Sequence, residues 1–278
     1  MHNNVIEVNS MSIIEALILG AVQGLTEFLP ISSSGHLLLL EKIMGISTES
    51  DHLLLLNILL HFGTLAAVFM VYWKRIWNMI RHPFKSELKW LIVATIPAVA
   101  AALFVNFDSA FEGKFIIWSF YLTTIVLFAG TAINKHRRRN RSVHKHLRWY
   151  DAVIMGIMQA VAILPGLSRS GSTIAGGVGS GLSRKRAADF AFLMSIPAIL
   201  GSAVLELKDV IFGGGSYTLQ FLPTVVGILA AAVFGLIAIK GFLVLIRKIS
   251  MNVFALYTFL LGTFLLLNKY VFHWISLL

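Results

Sequence analysis

The sequence lacks cysteine, carries few charged residues and has no polar block long enough to fold as a soluble domain. The absence of cysteine excludes disulfides, thiolate nucleophiles and cysteine-ligated zinc or iron–sulfur sites. Charged residues make up 13% of the 278 positions, about half the share found in soluble domains. No P-loop, GxSxG or HExxH motif is present, and the polar first residues lack the pattern of a signal peptide.

Hydrophobic residues make up 57% of the chain and form six runs long enough to cross a bilayer, which takes about 20 helical residues. The composition therefore predicts an all-α integral membrane protein with a single polytopic domain, residues 1–278. The six predicted transmembrane helices are Leu53–Trp73, Leu88–Val105, Phe115–Ile133, Ala187–Leu205, Leu219–Ile246 and Val253–Leu277.

Two further apolar regions are interrupted in the middle by proline, glycine and serine. Residues 13–44 are broken by 30-PISSSGH-36, with a second helix expected over His36–Met44, and residues 151–181 are broken by 165-PGLSRSGST-173. Proline ends a helix and serine can cap the next one, so each region predicts two short helices around polar backbone. Such half-helices are typical of re-entrant hairpins, which enter and leave the membrane on the same side.

The net charge of +10 is concentrated in short segments between apolar runs, where cytoplasmic lysine and arginine belong. The positive-inside rule places three helix ends in the cytoplasm, at Lys74-Arg75, at 135-KHRRRNR-141 and at Arg247-Lys248. We therefore expect both termini outside and a solvated cytoplasmic loop at 135–148. Nucleic-acid binding is not expected, because no groove-reading motif accompanies the charge.

The two hairpins resemble each other when the sequence is shifted by 136 positions. Seven of 22 aligned positions are identical, at Ala16/Ala152, Ile18/Ile154, Gly20/Gly156, Gln23/Gln159, Ser32/Ser168, Ser34/Ser170 and Gly35/Gly171. The similarity predicts an internal repeat, about 12–134 and 150–277. Three spans separate the hairpins, so the second copy is inverted, and the two breaks should meet near the membrane midplane.

Candidate functional residues cluster in and before these breaks. Gln23 and Glu27 lie on one helix face, and Gly20 and Gly24 beside them permit close approach of another helix. A carboxylate within the membrane needs a partner, which for Glu27 is Arg169, a metal ion or a cation carried by the substrate. A purely structural ion pair between Glu27 and Arg169 is the alternative interpretation.

The breaks combine hydroxyl groups, a histidine, an arginine and two helix starts, which suits a phosphate group. Simple N-capping explains one of the three serines in 32-SSSGH-36, and a hydrogen bond to backbone is the alternative role for His36. His61, inside a predicted span, is a further candidate for the cavity lining. The predicted phosphate-binding residues are Ser32, Ser34, Gly35, Ser168, Ser170, Gly171 and Thr173.

The stretch 23-QGLTEFLPISSSGH-36 resembles the first motif of the undecaprenyl-diphosphatase family, and 165-PGLSRSGST-173 resembles its second motif. The resemblance implies six spans with two inverted hairpins, and hydrolysis of undecaprenyl diphosphate at a site open to the outside of the plasma membrane. It implies that Glu27 is an essential carboxylate, that Ser33 or His36 is the nucleophile, and that Arg169 binds phosphate.

The resemblance also implies a divalent cation, Mg²⁺ or Ca²⁺, held by Glu27 and Gln23. An amide is a weaker ligand than a carboxylate for such cations, which leaves the contribution of Gln23 open. The expected partners are a polyprenyl diphosphate substrate and membrane lipids, and association as a homodimer stays open. A flippase for the lipid phosphate is the alternative function, because inverted repeats with broken helices are typical of transporters.

Overall fold

The computed structural model describes residues 11–46, 51–104, 115–140, 142–212 and 220–275. Within these ranges the secondary structure is helical, apart from one isolated bridge between His144 and Leu182. The α-helices of the described residues, in chain order, are α1 (Ile13–Phe28), α2 (Ser33–Ile43), α3 (Asp51–Arg81), α4 (Leu88–Phe104), α5 (Ile116–Arg139), α6 (Trp149–Val161), α7 (Arg169–Ser180), α8 (Arg184–Phe212), α9 (Phe221–Lys248) and α10 (Asn252–Leu267). A π-helical turn, Asn268–Phe272, follows α10.

Five segments are long and apolar enough to cross a membrane: Leu53–Arg81, Ile116–Arg139, Arg184–Lys208, Phe221–Lys248 and Asn252–Phe272. The sixth predicted span, α4, is also apolar but has only 17 described residues. The predicted ends Val105, Leu219 and Leu277 lie outside the described residues. The prediction of an all-helical multi-pass membrane protein is therefore confirmed.

Both interrupted regions form pairs of short helices. In the first pair Ser12 caps α1 through a reciprocal contact with Glu15, and α1 ends at Phe28, two residues before Pro30. The second helix of this pair begins at Ser33 rather than at the predicted His36, because the Ser32 hydroxyl accepts a hydrogen bond from Gly35 N–H and caps the helix three residues earlier.

The prediction of a loop over 135–148 was wrong in its first part. Helix α5 continues through Arg139, so its last turn carries His136, Arg137, Arg138 and Arg139. Positive side chains are favourable there because the carboxyl end of a helix bears partial negative charge. Two prolines, Pro97 in α4 and Pro197 in α8, lie inside continuous helices.

The first helix of each pair packs against a long helix from the other half of the chain. Helix α1 lies against α9, and α6 lies against α4. Glycines make this possible: a Cβ atom built on Gly20 would lie 2.2 Å from the Gly227 carbonyl oxygen, and one on Gly156 would lie 2.5 Å from the Ala94 oxygen. The close approach predicted from Gly20 is thus present.

The largest buried cluster joins α3, α6, α7, α8 and α9 beneath the two breaks. Phe192 of α8 is fully buried and packs edge-on against Phe28, at the end of α1, with ring centroids 5.3 Å apart. Many apolar side chains of the spans point outward instead, among them Ile125, Leu229 and Ile237. Their exposure fits helices that face lipid.

Candidate active site

The two breaks touch each other. The Ser170 hydroxyl donates a hydrogen bond of 2.8 Å to the Leu29 carbonyl, and Gly166 N–H donates one of 3.3 Å to the Ser34 hydroxyl. A Cβ atom on Gly171 would lie 3.2 Å from Cβ of Pro30, so the backbones are close as well. Side chains separated by more than 130 residues in sequence therefore share one small region.

Glu27 is the centre of this region and is only 6% exposed. Its Oε2 atom accepts hydrogen bonds from Gln23 Nε2 at 3.1 Å and from Ser33 Oγ at 2.6 Å. Its Oε1 atom forms an ion pair with the Arg169 guanidinium, and His61 Nε2 lies 3.8 Å from Oε2. The carboxylate is thus surrounded by donors, which compensates for removing its charge from water.

Local backbone structure explains this arrangement. Gln23 and Glu27 are one turn apart on α1, which ends at Phe28. Ser33 and Arg169 are the first residues of α2 and α7. Their side chains therefore sit beside unpaired backbone N–H groups at two helix N-termini, which together attract an anion.

The serines that precede Ser33 and Arg169 cap the two helices, which leaves the side chains of Ser33 and Arg169 available for other contacts. Ser32 has a positive φ of 72° and caps α2, while the Ser168 hydroxyl caps α7 by accepting from Gly171 N–H at 3.0 Å. Gly35 permits close packing behind the cap, because a Cβ there would lie 2.7 Å from the Phe120 ring. Capping accounts for Ser32, so Ser33 is left to bond Glu27.

His36 is oriented through both ring nitrogens. Its Nδ1–H donates to the Ser32 carbonyl at 2.6 Å, so the neutral ring accepts at Nε2 from the Tyr257 hydroxyl at 2.7 Å. The two rings also stack, with centroids 5.7 Å apart. The Ser33 hydroxyl is thus hydrogen-bonded to Glu27, and His36 Nε2 is hydrogen-bonded to Tyr257.

The remaining predicted residues line the region at different depths. Ser34 is exposed, Ser33, His36 and Arg169 are half-buried, and Ser170 is buried. The Thr173 hydroxyl donates to the Arg169 carbonyl at 2.9 Å, so its recorded contact is with backbone. The side that a ligand can reach is therefore formed by the half-buried and exposed members.

Sequence reasoning missed three contributors on other helices. Ser119 donates to the Pro165 carbonyl at 2.6 Å, and Thr123 accepts from Ser168 N–H at 3.1 Å, so α5 supports the second break. Two hydroxyl residues four positions apart in an apolar run were the available signal. For Tyr257, 221 positions from His36, no local signal exists.

The oxygen donors set a limit on what cation the site could hold. Gln23 Oε1 is buried and has no hydrogen-bond partner in the described chain, whereas its Nε2 faces Glu27. Among the described residues, no group of three or more histidine, aspartate and glutamate side chains converges on one point. The protein thus offers one carboxylate and one amide oxygen, too few to enclose a hard cation without ligands from a substrate.

Comparisons with known proteins agree with the geometry. A sequence model described as "Bacitracin resistance protein BacA" matches residues 16–264. The chain is 38% identical to an undecaprenyl-diphosphatase of Alkaliphilus metalliredigens, over 92% of this chain and 98% of the relative. It is 39% identical to one of Carboxydothermus hydrogenoformans, over 92% and 97% of the two chains, and 40% identical to undecaprenyl-diphosphatase 4 of Bacillus thuringiensis strain Al Hakam, over 94% and 98%. The chain therefore belongs to the BacA family of bacitracin resistance proteins.

Proposed function

We propose that this protein is a plasma-membrane phosphatase that hydrolyses undecaprenyl diphosphate to undecaprenyl phosphate and inorganic phosphate. The reaction recycles the lipid carrier for cell-wall synthesis and confers bacitracin resistance. The observation that carries the proposal is the contact of Glu27 with both Ser33 and Arg169 where the two breaks meet. Family membership and the printed names of the relatives support the same reaction.

The diphosphate binds between the breaks while its polyprenyl chain stays in the bilayer. The Arg169 guanidinium offers two parallel N–H donors to phosphate oxygens, and the starts of α2 and α7 add backbone N–H groups. Arg169 pairs with Glu27 in the free protein, so the ion pair keeps the guanidinium in place until the diphosphate arrives. These donors stabilise the negative charge of the phosphoryl group in the transition state.

Ser33 attacks the terminal phosphorus. A bond forms from Ser33 Oγ to phosphorus, and the bond from phosphorus to the bridging oxygen breaks, releasing undecaprenyl phosphate. The Ser33 proton passes to Glu27 Oε2, which lies 2.6 Å from the hydroxyl oxygen and is in position to act as general base. Water then attacks the phosphoserine and the bond from Ser33 Oγ to phosphorus breaks, giving inorganic phosphate; the proton held by Glu27 returns to Ser33 Oγ, which restores both the serine and the carboxylate.

His36 and His61 assist from the two sides of Glu27 and Ser33. His61 donates from Nδ1 to the Asn57 carbonyl at 2.7 Å, which turns Nε2 toward Glu27. His36, held by Tyr257, supplies a titratable ring beside the start of α2. His36 as the attacking group is the rival to Ser33, and the hydrogen bond from Ser33 to Glu27 favours the serine.

Mg²⁺ or Ca²⁺ fits the site only together with the substrate. Glu27 would hold such an ion, and phosphate oxygens would complete its coordination; Gln23 would join only after its amide turned to bring Oε1 in place of Nε2 toward Glu27. A bound divalent cation would supply charge neutralisation at the diphosphate.

The proposal includes a six-span topology with two re-entrant hairpins in inverted orientation. The glycine contacts support it, because Gly20 lies against Ala230 and Gly156 lies against Ala94. Gly156 follows Gly20 by 136 positions, and Ala230 follows Ala94 by the same number, so each half supplies the same contact to the other. The three helices α3, α4 and α5 lie between the hairpins, so one hairpin would enter from each side. In this orientation both termini and the opening of the site face outside.

The direct test is phosphate release from undecaprenyl diphosphate by the purified protein. We expect release by the wild type, loss in Ser33→Ala and near-normal release in Ser172→Ala, a buried hydroxyl without a recorded partner. Brief reaction with substrate labelled in the terminal phosphate should leave label on the wild type and none on Ser33→Ala. Lipid movement across vesicles without phosphate release would indicate a transporter instead, and label retained by Ser33→Ala would assign the attack to His36.

A further inference from the structure

A cavity of about 540 Å³ lies away from the proposed active site and shares no residue with it. It is formed by the end of α3, the turn before α4, the segment before α6 and the start of α8. Five permanently or normally charged cations line it: Arg75, Lys85, Lys89, Lys145 and Arg186. Glu87 is the one carboxylate among the lining residues, so the cavity carries a strong positive excess.

Glu87 neutralises only part of this charge and organises the rest. It forms ion pairs with Arg75 of α3 and Arg186 of α8. Burial opposes its ionisation, but the hydrogen bonds and charges of the two arginines outweigh burial and hold the pKa of the Glu87 carboxyl below its usual value. These two ion pairs join α3 and α8 to the residue that precedes α4. Lys85, Lys89 and Lys145 line the cavity around them.

The far wall is also held in place. His144 N–H donates to the Gly181 carbonyl and the His144 carbonyl accepts from Ser183 N–H, both at 2.8 Å. This bridge anchors the segment carrying Lys145 and Leu147 beside the start of α8. The cations therefore line one cavity whose walls are held by these backbone hydrogen bonds and by the ion pairs of Glu87.

An apolar groove of about 490 Å³ runs along α4 from Leu88, whose chain neighbours Glu87 and Lys89 line the basic cavity. Leu88 lies at its start, next to Glu87 and Lys89, and Ile92, Ile96 and Leu103 continue the same helix face, with Pro197 of α8 opposite. From Leu88 to Phe104 the helix rises about 24 Å, more than the roughly 15 Å of hydrocarbon in one leaflet. Trp90, at the junction, is the residue type that prefers the membrane–water interface.

We propose that the cavity and groove together bind an anionic phospholipid, with its phosphate among the lysines and an acyl chain along α4. Charge complementarity selects a negative headgroup, and continuity with the groove selects a lipid over a free anion. The basic cavity faces the cytoplasmic leaflet in the proposed topology, so this inference rests on that orientation. The lipid would bridge α3, α4 and α8 at the side of the membrane opposite the opening of the active site.

The test measures lipid binding and thermal unfolding of the purified full-length protein in detergent. The probes are phosphatidylglycerol, phosphatidylcholine and inorganic phosphate. We expect phosphatidylglycerol to bind and raise the unfolding temperature, and neither of the other two to do so at equal concentration. The triple variant Lys85→Gln, Lys89→Gln, Lys145→Gln should bind phosphatidylglycerol about 100-fold more weakly, at roughly fivefold per lysine near an anionic surface.

Matched controls separate a site from general charge. Arg138→Gln, Arg247→Gln, Lys248→Gln removes as many charges from other basic helix ends and should leave phosphatidylglycerol binding within about twofold. Ile96→Trp, which fills the groove, should abolish the difference between phosphatidylglycerol and phosphatidylcholine, whereas Ile125→Trp on the exposed face of α5 should not.

Equal loss in both triple variants, or equal stabilisation by inorganic phosphate, would overturn the proposal. Phosphate release from a short-chain soluble diphosphate, measured in parallel, keeps this result separate from the proposed reaction. The cavity variants should retain that release, so a protein that binds phosphatidylglycerol but releases no phosphate would refute only the phosphatase.

Discussion

The hairpin of α1 and α2 and the hairpin of α6 and α7 use the same backbone plan but carry different side chains at matching positions. In both, a serine caps the second helix and a glycine on the first helix packs against a long helix of the other half. Ser33 corresponds to Arg169, however, Glu27 to Ile163, and His36 to Ser172. The first hairpin thus holds the proposed base and nucleophile, and the second supplies the cation.

The difference indicates how two helix pairs of similar sequence can make an asymmetric site. Matching positions at the tips face one another, so a nucleophile in one copy and a guanidinium in the other come together without any change in the backbone. Two identical copies would place two carboxylates or two arginines in the same small volume, which like-charge repulsion disfavours. The five predictions that follow test how far the two hairpins have diverged.

The largest effect is expected from Glu27→Gln, which removes the proposed base and leaves Arg169 without its partner. The turnover rate should fall by about 10³-fold, which lies within the range expected for loss of a general base. Phosphate release from undecaprenyl diphosphate measures it. Ile163→Val, at the matching position, is the control and should stay within about twofold, and equal loss in both variants would contradict the assigned asymmetry.

Arg169→Lys should reduce turnover by about 10²-fold, because an ammonium group keeps the charge but loses the two-point fork that matches phosphate. Arg184→Lys, on the start of α8 and bonded to the Asn134 and Ile249 oxygens, is a matched control outside the site. Near-normal turnover in Arg169→Lys would show that charge alone suffices.

The close helix contact at a glycine, which both hairpins share, should be equally sensitive to substitution in the two hairpins. Gly20→Ala and Gly156→Ala each place a Cβ within 2.5 Å of a carbonyl oxygen, and each should lower the free energy of unfolding by about 1–3 kcal/mol. Thermal unfolding in detergent measures both. Gly241→Ala, with open space around its Cβ, should be neutral or stabilising. A large effect at one hairpin only would argue against equivalent packing.

The positions of the two breaks and their meeting could be predicted from the sequence because proline, serine and glycine act locally and the two interrupted regions resemble each other in sequence. The start of α2 at Ser33 could not, since any of three consecutive serines can cap a helix and the sequence does not distinguish Ser32 from the other two. The ion pair of Glu87 with Arg75 and the hydrogen bond of Tyr257 with His36 depend on helices that packing brings together. The spacing of residues in the sequence does not indicate such contacts.

Tyr257→Phe should have a smaller effect, because it removes one neutral hydrogen bond to His36 Nε2 and leaves the stacked ring. One such bond contributes about 0.5–1.5 kcal/mol, so turnover should fall about two- to tenfold. Tyr121, the matching residue, bonds Thr263, and Tyr121→Phe should leave turnover unchanged. The pH profile of turnover should shift in Tyr257→Phe alone, since only there does the environment of His36 change.

Gln159→Met should have the smallest effect, and it should stabilise the protein rather than impair it. Gln23 and Gln159 match, but Gln23 Nε2 donates to Glu27, whereas the carboxylate is replaced by Ile163 in the second hairpin. Gln159 is 2% exposed and both atoms of its amide lack a recorded partner. An unpaired buried amide costs about 1–3 kcal/mol, so an unbranched apolar side chain of similar length should raise the unfolding temperature by a few degrees. Gln23→Met should instead lose activity, because it removes a donor from Glu27. If Gln159→Met lost activity to the same extent, the second hairpin would contribute an amide as well as a guanidinium, and the two halves would have diverged less than their side chains indicate.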